Sequence, residues 1–266
     1  MASNEYPKAP LSRVKRLNNR AAYDYKTIHH IINSTPVLHV AFNPAPSPDA
    51  DPFPAILPML GCTGSFTSPT ADPATGSQDL YLHGYVSSRL MKQPSTANDA
   101  DSQGTPVTVA ATLLDGLVLA LTPNHHSCNY RSAVVFGHAE LVADEAEKLY
   151  AMQLITDNML PARWANSRIP PNKAEMQSTS ILRVRIAHAS AKVRGGGPNE
   201  DRGDLKDEEL RKRVWTGVVP SWIQWGDPMP ARANMAGEVP EYVEQWRNVQ
   251  NKDGRIGAYE AAKEAE

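Results

Sequence analysis

The segment HHSCNYRSAVVFG, residues 125–137, joins a polar cluster to an apolar strand. Its first half carries paired histidines, an amide, a tyrosine and an arginine. Its second half is rich in the β-branched and aromatic residues that favour strands, and the β-rich alternation continues to Val142. We therefore predict a long strand from Tyr130 to Val142 whose entry presents polar groups to a binding site.

The flanking sequence predicts an α+β fold that is mainly antiparallel β. Apolar residues at helical spacing predict helices over 23–33 and 145–159, and serine caps predict a helical turn or two over 87–92. Asp115-Gly116 is a strong hairpin signal between two strands. Strands arranged as hairpins, with few helices, favour an antiparallel barrel over alternating βαβ units. The other predicted strands are 37–42, 52–60, 80–83, 106–113, 117–121 and 180–187.

Composition narrows the class of protein. The 266 residues carry a formal net charge of -2, which gives no basic field for nucleic acid or an anionic membrane. Two cysteines, Cys62 and Cys128, are too few for a disulfide framework and favour a cytoplasmic location. We predict one domain over residues 1–220, followed over 221–266 by a C-terminal arm that packs on its own barrel or on a partner.

Known phosphate-binding and hydrolase motifs are missing, since the sequence has no G-x-G-x-x-G, Walker A, H-E-x-x-H or G-x-S-x-G. Three polar clusters remain. In the first, a strand delivers His83 and Gly84, and the next residues are Ser87, Ser88 and Arg89. Hydroxyls, helix-start amides and a guanidinium form a phosphate cradle. Alternatively, the serines only cap the helix and Arg89 is solvated.

The second cluster is the strand entry at residues 124–132. A metal site on His125 and His126 is disfavoured, because adjacent residues of an extended chain point to opposite faces. The third cluster is Lys192 and Arg194, which share one face if their strand persists and would meet an anion or solvent. Trp215 lies in a later apolar run, where it would be a core or interface aromatic or would contact a cofactor.

Several runs, in the same order, resemble the pyridoxamine 5′-phosphate oxidase-like flavoproteins, a family that includes nitroimidazole-resistance proteins. The resemblance spans residues 23–220 and implies a six-stranded split barrel that forms a homodimer, with a flavin in each of two clefts lined by both subunits. The runs are VLHVAF, PFPAILPM, DLYLHGYVSSR, DGLVLAL, HHSCNYRSAVVFG, ASAKVR and VWTGVVP.

The resemblance also implies roles for individual residues. Ser87, Ser88 and Arg89 would hold the flavin phosphate. The isoalloxazine would run along the backbone of Ile56, Leu57, Pro58 and Met59. Further residues would contribute to the same cleft, namely Gly84, His125, Asn129, Tyr130, Arg131, Ser132, Lys192, Arg194 and Trp215.

Within this family the sequence is similar to flavin- and haem-containing oxidases associated with the iron-only nitrogenase. That similarity makes His83 a candidate axial ligand of a b-type haem, with a flavin-side or purely structural role as alternatives. His126 and Tyr130 are the candidate catalytic residues. The long insertions favour FAD over FMN, because they could cover an adenosine.

The resulting functional hypothesis is a flavin-dependent oxidoreductase that passes electrons between flavin and haem and reduces oxygen or another small acceptor. Its partners would be a second copy of itself, a small electron donor and a small acceptor, without nucleic acid or membrane. A flavin-only reductase of nitro or other small electrophilic compounds is the second hypothesis. A non-catalytic flavin or haem carrier or sensor is the third.

Overall fold

The computed structural model describes residues 4–44, 53–92 and 104–263. Within these ranges the helices are α1 (Tyr25–Ser34), α2 (Glu145–Met159), α3 (Lys173–Ser178), α4 (Glu208–Arg213) and α5 (Glu241–Ala262). The strands are β1 (Ala21–Ala22), β2 (Leu38–Phe42), β3 (Ala55–Gly64), β4 (Asp79–Tyr85), β5 (Thr105–Leu119), β6 (Ser127–Leu141), β7 (Thr179–Arg194) and β8 (Gly217–Pro220).

Among the described strands, β7, β4, β3, β2, β5 and β6 follow one another in a sheet that closes through a β6–β7 pairing. Closure gives a six-stranded barrel whose registered pairs are antiparallel. The two shortest strands lie outside the barrel, where β1 pairs with β7 and β8 pairs with β5. The predicted antiparallel barrel with flanking helices is confirmed.

Helix α1 supplies apolar side chains to the main core. Asp24 begins the helix by accepting a hydrogen bond from the Thr27 amide at 2.8 Å. Ile28, Ile31 and Ile32 are buried in the cluster that fills the barrel. The predicted boundaries of this helix were correct to within two residues at each end.

Helix α2 covers part of the outer barrel face, on a second apolar cluster that includes Cys62, Tyr81 and Ile155. Buried charges accompany this packing. The Tyr81 hydroxyl donates to Glu147 at 2.9 Å, and Arg183 donates to the same carboxylate at 3.0 Å. Arg183 also donates to buried Glu140 at 3.2 Å. The predicted bounds of α2 agree with the structure.

The predicted hairpin at Asp115-Gly116 is wrong, because β5 runs through both residues. Gly116 pairs with Pro220 of β8, so the chain is extended there. Burial alternates up to Ala111, both residues of the Asp-Gly pair are buried, and the alternation resumes in the opposite phase at Val118. We interpret this change of phase as a β-bulge.

The described residues form two compact units. The first comprises those within Met1–Thr112 and Ser132–Lys192, and the second those within Leu113–Arg131 and Val193–Glu266. Pro220, the predicted domain boundary, lies within the second unit. The predicted C-terminal arm contains α5, a 22-residue helix that the sequence reasoning did not identify.

Candidate functional site

Strand β3 has one partner strand at a time. Ala55–Met59 pair with β2, whereas Leu60–Gly64 pair with β4. In the registers of the described strands, the other side of residues 55–59 therefore has no strand partner. Backbone N–H and C=O groups on that side are free to bind a ligand, except at Pro58, which has no N–H.

The free edge exists because β3 and β4 separate. Their last registered pair is Leu60 with His83, yet β4 continues to Tyr85 and pairs there only with β7, with Gly84 opposite Ser180. We call the opening between residues 55–59 and residues 84–85 the β3–β4 fork. It lies entirely within the first unit.

The fork has an apolar outer lip and a closed inner side. The side chains of Ile56 and Tyr85 are 61% and 62% exposed, and Pro58 is also exposed. Leu57 and Met59 point the other way and pack in or against the core. A planar apolar ring laid on the fork would cover these exposed side chains and gain their burial free energy.

Gly84 allows the inner side of the fork to close. A Cβ at this position would overlap the end of the Met91 side chain and lie 3.4 Å from Met59 Cε. Both methionines are buried. The absence of a side chain at residue 84 therefore lets them pack directly against the end of β4.

His83 lies at the point where the two strands part. Its side chain is exposed, but neighbouring chain desolvates the ring enough to lower its pKa below the ordinary histidine value. The imidazole is therefore neutral at neutral pH, which is the form that coordinates a metal.

The turn after β4 presents polar groups beside the fork. Leu90 and Met91 are buried and fix the turn, while Ser87 and Arg89 are exposed. The Ser88 amide donates to the Tyr85 carbonyl at 2.9 Å. The Oγ of Ser88 is buried and has no hydrogen-bond partner in the described structure.

Such an orphaned buried hydroxyl is costly unless a ligand completes it. With the Arg89 guanidinium it has the chemistry of an anion site, so these residues fit a flavin phosphate. The helical turn predicted over 87–92 is confirmed in part, as a 3-10 turn at Leu90–Lys92 that follows a turn.

The second unit contains another set of the predicted residues, and they have protein partners. Asn129 is fully buried, and its Nδ2 donates to the carbonyls of Gly196 at 3.1 Å and Ala261 at 3.0 Å. Its Oδ1 accepts from Arg194, which also donates to Gly197 at 2.9 Å. The two side chains thus join the turn after β7 to the end of α5.

Arg131 makes a bidentate ion pair with Asp115, at 2.9 and 2.8 Å. This geometry is strong, and Asp115 is buried. The adjacent Tyr130 is half-buried. In the first unit, Ser132 Oγ donates to the Lys192 carbonyl at 3.2 Å. Lys192 lies in β7, which persists to Arg194 as the shared-face interpretation requires.

The paired histidines face different partners. His125 lies between Glu200 and Asp201, with ring nitrogens 3.9 Å from an oxygen of each. His126 is exposed, and its Nδ1 accepts a hydrogen bond from the Ala120 amide at 2.9 Å. The neutral ring of His126 therefore carries its proton on Nε2. No group of three or more metal-binding side chains occurs in the described ranges.

Trp215 is 65% exposed, and its ring lies against Gly217. A Cβ on Gly217 would meet the indole at 2.8 Å, and the backbone φ of 154° itself favours glycine. One face of the ring is therefore fixed by the chain, and the side chain keeps a large exposed surface.

The profile of the family described as pyridoxamine 5′-phosphate oxidase matches residues 24–193, which include the whole β3–β4 fork. The chain belongs to this family. The resemblance inferred from the sequence motifs is thereby confirmed.

Several solved structures resemble this pyridoxamine 5′-phosphate oxidase family member. The flavocytochrome Anf3 from Azotobacter vinelandii is 28% identical over 91% of this chain and 99% of that chain, with a TM-score of 0.69. The FAD and heme binding protein from Mycobacterium smegmatis is 27% identical over 86% and 97%, with a TM-score of 0.66. A putative 5-nitroimidazole antibiotic resistance protein from Bacteroides thetaiotaomicron is 18% identical over 65% and 86%, with a TM-score of 0.44. A comparison with curated proteins gave no match.

Sequence reasoning about this family member missed two features near its candidate sites. His39 is exposed and pairs with Pro58 beside the fork. The alternation of β2, in which Leu38, Val40 and Phe42 are buried, could have shown that His39 faces outward. Glu200, which accepts a hydrogen bond from the Leu121 amide at 2.8 Å beside His125, gave no local signal in the sequence.

No helix in the described ranges has the length and apolar character to span a membrane.

Proposed function

We propose that the protein is a flavin-dependent oxidoreductase in which a flavin and a b-type haem exchange electrons to reduce oxygen or another small acceptor. The single observation that carries the proposal is the near full-length likeness to a flavocytochrome, at 28% identity and a TM-score of 0.69. A second likeness of similar extent is to a protein named for binding FAD and heme.

The fork supports the flavin part of the proposal. Its free edge at residues 55–59 offers backbone donors and acceptors for the polar rim of the isoalloxazine. Ser88 and Arg89 would hold the phosphate, and FAD is the preferred form. The exposed apolar lip at Ile56 and Tyr85 would be covered by the ring and by a second copy of the chain, which we propose as partner.

His83 supports the haem part. A neutral imidazole at the separation of two strands can ligate iron without first losing a proton. When bound, the two cofactors supply the redox chemistry, and the chain holds them, limits water access and delivers protons. His126 and Tyr130 remain the proposed proton donors.

The absorption spectrum of the purified protein, with mass identification of the released cofactors, tests the proposal. We expect a Soret band together with flavin bands and a mass that identifies FAD. Flavin bands alone, even after haemin is added, would favour a flavin-only reductase. If neither cofactor is retained nor taken up on reconstitution, the proposed function is wrong.

His83→Ala tests the assigned ligand, with His39→Ala as the matched control because both histidines are exposed, one on each of the strands β4 and β2 that flank β3. We expect the first variant to lose the Soret band and keep the flavin, and the control to keep both. An unchanged haem spectrum in His83→Ala would remove His83 as the axial ligand. Ser88→Ala should lower flavin affinity while leaving the fold intact.

A further inference from the structure

Two buried side-chain atoms of the second unit lack the partners that buried polar groups normally have. They are Nδ1 of His125 and Oε2 of Glu200, and neither has a hydrogen-bond partner in the described structure. The two atoms lie 3.9 Å apart, which is too far for a hydrogen bond between them. Since an unpaired buried polar atom is costly, the two atoms are suited to share a third atom that binds both.

The fold holds both side chains in place. His125 ends the 3-10 turn Pro123–His125, which lies between β5 and β6. Glu200 lies between β7 and α4, and its side chain is only 8% exposed. Its other oxygen, Oε1, accepts a hydrogen bond from the Leu121 amide at 2.8 Å. The carboxylate is therefore fixed with Oε2 near the imidazole.

The opposite side of the imidazole has a second carboxylate nearby. Nε2 of His125 lies 3.9 Å from Oδ2 of Asp201, whose side chain is 76% exposed and has room to approach. If Nε2 carries the ring proton, Nδ1 has a free lone pair. Metal-binding histidines usually donate their other N–H to a carboxylate, and metal-binding carboxylates are themselves hydrogen-bonded. Asp201 and the Leu121 amide supply these two supports.

A polar pocket of about 750 Å³ opens beside Glu200. Its other walls include Asn199 and Thr216, and also the cations Arg211 and Lys212. All these residues belong to the second unit. An ion bound to Glu200 could therefore take water, or an anion attracted by the two cations, from the pocket side.

We propose that His125 Nδ1 and Glu200 Oε2 bind a divalent transition-metal ion, with water in its remaining positions. One imidazole and one carboxylate suit zinc and similar ions, whereas magnesium and calcium prefer oxygen ligands alone. Zinc bonds of about 2.0–2.2 Å place two tetrahedral ligand atoms about 3.4 Å apart. The two atoms therefore have to approach by about 0.5 Å, which small side-chain rotations supply.

With two protein ligands, the site is open, unlike the closed four-ligand sites that hold structural zinc. The ion is distinct from the haem iron proposed for His83. The inference therefore does not depend on the proposed function, and its failure would leave that function to the cofactor spectrum.

Isothermal titration of full-length, chelator-treated protein with Zn²⁺ tests the inference. We expect one ion per chain, and at least about tenfold weaker binding in His125→Gln and in Glu200→Gln, because each loses one of two ligand atoms. Glu200→Gln keeps a side-chain oxygen for the Leu121 amide, so the local structure should persist. The matched control is Glu208→Gln, which removes an exposed carboxylate from the same pocket and should bind Zn²⁺ as the wild type does.

Thermal unfolding gives a second readout. Zn²⁺ should raise the melting temperature of the wild type and of Glu208→Gln more than that of the two ligand variants, since a ligand of the folded state stabilises it. Mg²⁺ should have no such effect. The inference is wrong if the wild type binds no Zn²⁺ at about 1 mM, or if both ligand variants, with folding verified by circular dichroism, bind it with wild-type affinity. A buried water would then account for the two atoms.

Discussion

Replacing Asn129 by alanine should destabilise the protein even when no cofactor is present. The buried amide makes two donor bonds of 3.1 and 3.0 Å to the carbonyls of Gly196 and Ala261 and accepts a third from Arg194. Net hydrogen bonds contribute about 0.5–1.5 kcal/mol each, and partners left buried and unpaired cost about 1–3 kcal/mol. We therefore expect a loss of about 3 kcal/mol in the free energy of unfolding.

Such a loss corresponds to a melting temperature lower by roughly 6–12 °C for a protein of this size. Thermal unfolding of the cofactor-depleted protein, followed by circular dichroism, measures it. Asn199→Ala is the control, because Asn199 is exposed on the neighbouring loop and should change stability by less than about 0.5 kcal/mol. A stable Asn129→Ala variant that loses only flavin affinity would show that Asn129 is a cofactor residue and that our reasoning is wrong.

Three further substitutions test the packing. Gly137→Ala should lower the free energy of unfolding by about 1–3 kcal/mol, because its Cβ would overlap the Arg185 carbonyl. The control is Gly203→Ala, whose Cβ would lie in open space and should leave stability unchanged. Equal melting temperatures for the two variants would contradict this prediction. Burial lowers the pKa of His29, so the folded state binds the histidine proton less tightly than the unfolded state does. The free energy of unfolding should therefore fall as the pH drops below about 6.5. In His29→Gln, the difference between the melting temperatures at pH 7.5 and pH 5.5 should be smaller. Glu147→Gln should lower the free energy of unfolding by about 1–3 kcal/mol, because the Arg183 guanidinium loses part of its counter-charge. Urea unfolding measures this loss. An unchanged free energy would exclude a stabilising role for the Arg183–Glu147 ion pair.

The fold was predictable where local patterns decide it. Helix α2 begins at an aspartate cap and keeps its predicted bounds, although of its predicted apolar face only Ile155 is buried and Met159 is exposed. At Asp115-Gly116 the local pattern was misleading. Those two residues suit a tight turn, but pairing of Gly116 with Pro220 of β8 holds the chain extended. No local pattern reveals a partner strand so distant in sequence.

Part of the candidate site was likewise predictable from local patterns, and part was not. His83 lies in β4, the Ser87–Arg89 turn follows that strand, and residues 55–59 belong to the neighbouring strand β3, so strand adjacency brings them together at the fork. Asn129 and Arg194 were assigned to the cofactor by resemblance. Their contacts with the end of α5 depend on a helix whose glycines and charges weaken its sequence pattern, and therefore could not be foreseen.

The free edge of β3 also bears on how the protein behaves before its site is filled. An open row of backbone donors and acceptors can pair with the same edge of another molecule, which is a route to aggregation. Pro58 interrupts that row because proline has no N–H donor. The exposed Ile56 beside it adds hydrophobic surface that favours association. Soluble yield should therefore depend on cofactor supply during expression, because whatever covers the fork also shields the chain from its own copies.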